Sequence, residues 1–197
     1  MLRTIACLTT AFLLTAVVST GAARAQQTSS ASSASAVLTS QPSAKLARAD
    51  SAFLKQAAQD GHAEVEGSKL ALSKAVSPEV KAFAQKMVDE HTKAGEELSV
   101  LAAAKGVQLP DGPSIMQKAK LKLLSAREGA SFDKHYADSI GLKAHQDTVK
   151  LFQKAADEAK DPQVKAFATQ TLPTLQHHLD MSRDLYALVH KDEPKKP

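Results

Sequence analysis

Four histidine and carboxylate positions sit where a long helix would turn them toward its neighbours. Two of them follow near-identical stretches, Pro78-Glu-Val-Lys-Ala-Phe-Ala84 and Pro162-Gln-Val-Lys-Ala-Phe-Ala168, each of which opens a helical pattern. Val80 to His91 is eleven positions and Val164 to His178 is fourteen. At ~100° per residue both histidines return to within about 40° of the apolar valine. His145 lies at the margin of the apolar stripe of its own segment. Of Glu64 and Glu66, Glu64 lies nearer the stripe and is the better inward carboxylate. Glu64, His91, His145 and His178 all fall near mid-helix, a common level in an antiparallel bundle. Imidazole nitrogens and a carboxylate oxygen at one level form a candidate site for a single Zn, Fe, Mn or Cu ion.

Asp133 falls directly on an apolar stripe, with Tyr136 one turn away. A buried carboxylate without a cation or donors costs several kcal/mol, so Asp133 needs a partner. It is expected either to orient a ligand or to cap a helix, and Tyr136 is grouped with it as a supporting residue. The competing reading is that each histidine is an ordinary buried, hydrogen-bonded core residue. Duplication of the unit favours the site. His62, His135, His177 and His190 read as solvent-facing or interfacial. No Ser-His-Asp, phosphate-loop, dinucleotide or His-Glu-x-x-His pattern is present, so no catalytic residue is assigned.

Four long helices must position these groups. The first is expected over about 47–75, with a stripe of Leu54, Ala58, Gly61, Val65, Ser68, Leu72 and Val76. Ser77 before Pro78 is a strong start signal for the second, which should end near Lys105 with Gly106 as its stop. A loop over 109–114 and a short basic helix over 115–128 follow. The third long helix is expected from about Ala130, capped by Ser131. Asp161-Pro162 repeats the start signal for the fourth, in which Pro173 either kinks the helix or marks a restart. Two hairpins joined by one long connection of about 25 residues give the fold class: all-α, a ferritin-like antiparallel four-helix bundle with a short extra helix between helices 2 and 3.

The chain ends bound the compartment. Arg3, the apolar run Ile5 to Val18, and Ala23-Arg24-Ala25 form a secretory signal pattern, with cleavage expected after Ala25 and a periplasmic or secreted product. Residues 26–45 read as a Ser/Ala-rich disordered linker, 46–190 as the bundle domain, and 191–197 as a polar tail. The one cysteine, Cys7, lies in the leader, so the processed chain has neither disulfide nor thiolate ligand. Losing Arg3 and Arg24 leaves 23 basic against 21 acidic residues. That near-balance, with no Trp, disfavours nucleic-acid partners. No later segment is apolar enough to span a membrane. A protein partner or oligomer cannot be read from the residues. The basic run Lys118-Ala-Lys-Leu-Lys122 reads first as a solvated face and second as a surface for an acidic partner or membrane.

The motifs Phe53-Leu-Lys-Gln-Ala-Ala58, Ala63-Glu-Val65, Val80-Lys-Ala-Phe-Ala84 with Met87-Val88 and His91, Phe132-Asp133 with Tyr136 and His145, and Leu172-Pro-Thr-Leu175 with His178 together resemble the exported bacterial proteins grouped as domain of unknown function 4142. The resemblance covers about 47–188. It implies a ferritin-like fold, an exported location, and a polar signature of Glu64, His91, Asp133, Tyr136, His145 and His178. It implies no established activity. Di-iron ferritin-like proteins use two Glu-x-x-His motifs. Here Val88 and Leu175 stand three residues before His91 and His178, so a mononuclear site or no metal is expected in place of a di-iron centre. Metal handling, with a link to envelope or oxidative stress by analogy, is one reading of the function. A non-catalytic interaction bundle without metal is the other.

Overall fold

The computed structural model describes residues 46–191, and the expected leader, linker and nearly all of the tail lie outside them. The order is α1 (Arg48–Lys74), α2 (Pro78–Ala104), α3 (Ile115–Ser125), α4 (Gly129–Tyr136), a π-helical segment (Ala137–Lys143), α5 (Ala144–Glu158) and α6 (Pro162–Val189). There is no strand among the described residues. α1 packs along α2 and α5 along α6, while α1 also meets α5 and α2 meets α6. α4, the π segment and α5 follow one another without a break and form the third long element of a ferritin-like four-helix bundle. α3 lies in the long connection and rests on α1 and α4.

Local chemistry explains the boundaries. Ser77 Oγ accepts from Val80 N with Pro78 in the first turn, and Asp161 Oδ1 accepts from Gln163 N and Val164 N with Pro162 in the same place. Each cap satisfies amides that have no partner inside the helix. Gly106 closes α2 at φ 64°, a left-handed turn that other residues adopt at a cost. Ser114 and Gln117 cap α3 reciprocally, side chain to backbone in both directions. α6 runs unbroken through Pro173, so the proline does not restart the helix. Ser131 does not cap α4. The helix begins at Gly129 after Glu128, and the Ser131 carbonyl accepts from His135 Nδ1.

The first helix is buried over a wider face than its expected stripe. Phe53, Ala57, Ala63, Gly67 and Ala71 join Leu54, Ala58 and Ser68 in the interior, while Val76 is exposed. The cause is that α1 meets α2 on one side and the α4–α5 element on the other. Gly67 marks the closest approach. A methyl group there would sit 2.9–3.2 Å from the side chain of Ile140 in the π segment. Gly67→Ala should therefore cost about 1–2 kcal/mol, read from a urea midpoint. An unchanged midpoint would show that Ile140 yields freely.

The core falls into two apolar halves. One holds Phe83, Met87, Phe132, Ile140 and Leu185; the other holds Leu54, Leu98, Phe152, Val164 and Leu175. Every long element crosses from one half to the other, and at each crossing it carries a polar residue: Glu64, His91, His145 or His178. A polar layer thus divides the bundle at mid-height.

Candidate metal centre

Three imidazoles meet in that layer. The ring centroids of His91, His145 and His178 are 5.3, 5.4 and 5.6 Å apart, close to an equilateral triangle. All three residues are buried, and one nitrogen from each lies within 4.8 Å of the others. His91 Nε2 and His145 Nε2 are 3.4 Å apart.

Each ring is held from behind by an acceptor. His145 Nδ1 donates to Gly141 O at 2.7 Å and lies 3.2 Å from Ile140 O. His178 Nε2 donates to Glu90 Oε2 at 2.5 Å, and Glu90 in turn pairs with Lys86. His91 Nδ1 lies 2.9 Å from Glu64 Oε2. That contact is short but poorly directed, and Oε2 gains no properly aligned hydrogen bond from it. Glu64 Oε1 accepts from Thr148 Oγ1 at 3.1 Å. A carbonyl or carboxylate can only accept, so each rear nitrogen carries the proton. In a neutral ring the other nitrogen is then a free lone pair. For His178 that nitrogen is Nδ1, which is buried and has no partner.

The charges follow from burial and neighbours. Burial pushes the His178 imidazolium down to about 4, reinforced by His91 and His145 and opposed by Glu90, so His178 is neutral at pH 7. Burial also disfavours a charged His91, but the Glu64 carboxylate outweighs it and the His91 pKa lies above its ordinary value. Burial would raise Glu64, yet His91, His145 and the hydrogen bonds hold it down to about 2. Glu64 is therefore an anion in the interior.

Of the residues expected at the site, the structure brings His91, His145 and His178 together and places Glu64 directly behind them. Glu64 stands beside this group and outside it: its Oε2 lies 2.9 Å from His91 Nδ1, and the three nitrogens that gather within 4.8 Å come from the histidines. Asp133 does not orient any of the histidines. It is buried at the far end of the π-containing element, where Oδ1 and Oδ2 accept from Val76 N and Ser77 N at 3.2 and 2.8 Å. The α1–α2 turn is the partner that its burial required. Tyr136 is buried and exchanges a hydrogen bond of 2.9 Å with Ser68 Oγ. Burial raises its hydroxyl pKa, and the nearby Glu64 charge adds to the shift, so it is a neutral hydroxyl beside the layer. Glu66 and His177 are exposed.

Three residues of the site have no signature in the sequence: Glu90, Thr148 and Gly141, the last acting through its carbonyl. Glu90 adjoins His91 in the chain, but its partner, His178, is on another helix. The π segment explains His145. From Asp133 to His145 a regular helix leaves a residue of about 120°. A π turn absorbs an extra residue, worth about 100° of rotation, and this carries His145 from the margin to full burial.

Glu64 and Thr148 belong to the walls of two cavities. One, of about 550 Å³, reaches His91 from between α1 and α2, where Gly61 and Gly95 leave open space. The other, of about 380 Å³, lies under α3 and includes Asp60, Gln117 and Asp147. Asp60 Oδ1 accepts from Gln56 and Gln117. Burial lifts its carboxyl pKa from 3.8 to about 6, helped by Glu64 and Asp147 and resisted by the two glutamines. The folded value lies above the unfolded one, so this group's contribution to stability is complete below about pH 4 and declines as pH rises through about 6. Asp60→Asn should therefore stabilise the protein at pH 7.5 by about 1–2 kcal/mol, the full shift being discounted for partial exposure. The gain should vanish near pH 4. Urea melts of both proteins across that range test it, and a pH-independent difference would refute it.

Fold and layer together define a ferritin-like helical bundle with a buried tri-histidine cluster. The chain belongs to the family described as domain of unknown function (DUF4142), whose profile matches residues 35–185. No match is found among proteins of curated function. Among solved structures, the chain is similar to a DUF305 fragment from Deinococcus radiodurans, with 13% identity, a TM-score of 0.64, and 75% of this chain and 99% of that one covered. It is also similar to a conserved hypothetical protein, rv2844, from Mycobacterium tuberculosis, with 16% identity, a TM-score of 0.56, and 76% and 95% covered. At such identities the likeness is one of fold. No helix among the described residues is long and apolar enough to cross a membrane.

Proposed function

We infer that this protein is an exported metal-binding bundle, holding one transition-metal ion through His91 Nε2, His145 Nε2 and His178 Nδ1. One observation carries the reading. Three buried rings each set one nitrogen beside an acceptor, a nitrogen from each ring lies within 4.8 Å of those of the other two, and His178 Nδ1 has no partner. This is the arrangement in which carboxylates and carbonyls fix a histidine tautomer for a metal. Tetrahedral ligands at 2.0–2.1 Å from an ion stand about 3.3 Å apart, and the His91–His145 separation of 3.4 Å meets that value.

The donor set narrows the metal. With Glu64 behind His91, no oxygen ligand completes a two-histidine, one-carboxylate face, and the processed chain has no thiolate. Three imidazole nitrogens as the donor set suit zinc or copper better than manganese or non-haem iron. Export is supported by the Arg3, Ile5–Val18 and Ala23-Arg24-Ala25 pattern, and a periplasmic setting would give the bundle a role in holding or passing metal in the envelope. Elemental analysis of untagged protein purified without chelators should find about one zinc or copper per chain. The reading falls if metal is absent and added zinc and copper leave melting unchanged.

A second reading is a metal-free structural bundle. It is favoured by the His91–Glu64 contact, since a protonated His91 would present Nε2–H to His145 Nε2 across 3.4 Å. The cluster would then be held by a shared proton. Under this reading, histidine substitutions lower stability and nothing else.

A further inference from the structure

α3 turns two apolar faces in different directions. Leu121 and Leu124 are buried against the bundle, and Gln117 reaches Asp60 beneath them. On the opposite side Ile115, Met116 and Leu123 are 89%, 69% and 70% exposed. At ~100° per residue, Ile115, Ala119, Leu123 and Met116 fall within one outward arc of about 100°. Lys118 and Lys122 border the arc on one side and Lys120 on the other, and Arg127 follows just beyond the helix end. There is no Asp or Glu from Ile115 to Arg127, and none of these four cations forms an ion pair within the described residues. Three large apolar side chains on a small helix are more than scattered surface exposure. Cations flanking them on both sides are what an interfacial helix needs: the apolar stripe enters the acyl boundary and the long basic side chains reach the headgroups.

We propose that the outward face of α3 docks the bundle on an anionic lipid surface. Charge complementarity selects this occupant. A second copy of α3 would set lysine against lysine, whereas phosphatidylglycerol headgroups would meet every cation on the rim. The proposal is independent of the metal reading, since α3 holds none of the three histidines.

The chain contains no tryptophan, so a single introduced one reports its own surroundings. In the full chain, Leu123→Trp emission should shift to the blue with phosphatidylglycerol vesicles and stay unshifted with phosphatidylcholine vesicles. Gln153→Trp, on the exposed side of α5, should not respond to either. Adding Lys118→Gln, Lys120→Gln and Lys122→Gln to the Leu123→Trp protein should weaken apparent lipid affinity on the order of a hundredfold, about fivefold for each charge. High salt should act in the same direction. Every variant carries the same leader, so the leader cannot produce the difference between positions 123 and 153. No shift at 123, an equal shift at 153, or insensitivity to the lysines overturns the proposal. A blue shift that grows with protein concentration without lipid also overturns it, because the occupant is then a second copy.

Discussion

His178→Ala should leave the purified protein without metal and should erase the effect of chelators on its melting. For the unaltered chain, binding at free metal about a thousandfold above Kd adds about 4 kcal/mol to folding stability. For a domain of this size that is on the order of 10 °C in Tm, and a chelator should remove it. His178 Nδ1 is buried and unpartnered, so its loss takes a ligand away without breaking a native hydrogen bond at that atom. Sharing the typical 10–16 kcal/mol of a structural zinc site among its ligands puts the loss near a thousandfold in affinity. Glu64→Gln and Glu90→Gln should be milder, about 10–100-fold, because these carboxylates hold rings and do not touch the ion. If Glu64→Gln proved as damaging as His178→Ala, Glu64 would belong among the ligands. If the unaltered protein melted at one temperature with metal and with chelator, the metal reading would fail and the shared-proton reading would stand.

The distinction between a ligand and its support could not be read from spacing alone. Periodicity identified Glu64 over Glu66 and aimed His91 and His178 inward, because α1, α2 and α6 keep regular rotation up to those positions. It also put all four groups at one depth, because antiparallel helices of similar length align their midpoints. Which nitrogen of each ring faces the other two rings, and whether a carboxylate lies in front of an imidazole or behind it, depends on side-chain reach across helices. That information lies in tertiary contacts. His145 shows the limit within one element, since a rotation rule built on 3.6 residues per turn cannot anticipate a π segment. The boundaries of α2 and α6, by contrast, were legible, though the start of α4 was not, since Ser131 does not cap it. Ser77-Pro78, Gly106 and Asp161-Pro162 act on neighbours within a few residues, and their chemistry is local.

Asp133 belongs to the non-local class, and it has a counterpart whose partners are equally distant in the chain. Asp50, near the start of α1, accepts from Lys160 N and Asp161 N in the α5–α6 turn, with its Oδ2 at 3.0 and 2.7 Å. Asp133, near the start of α4, accepts from Val76 N and Ser77 N in the α1–α2 turn. Each hairpin thus supplies a buried aspartate that closes the turn of the other. Both turns lead into a helix whose own cap is fixed by the clamped residue, Ser77 or Asp161.

Asp133→Ala should therefore cost about 3 kcal/mol. Two turn amides lose charge-assisted partners, and the interior gains a small void. Asp50→Ala should cost about the same. The two clamps lie at opposite ends of α1, with no shared partner, so their costs should add. About 6 kcal/mol is comparable with the entire stability of many domains, and the double variant should be largely unfolded at 37 °C. Asp133→Asn keeps one acceptor oxygen and should recover roughly half of the loss. Urea midpoints give these values, and a cost below about 1 kcal/mol for Asp133→Ala would show that water replaces the carboxylate. Metal stoichiometry supplies an independent check. A clamp at the end of the bundle leaves the mid-height triangle intact, so folded Asp133→Ala should bind as much metal as the unaltered chain. A folded variant that had lost its metal would instead return Asp133 to the support of the histidines.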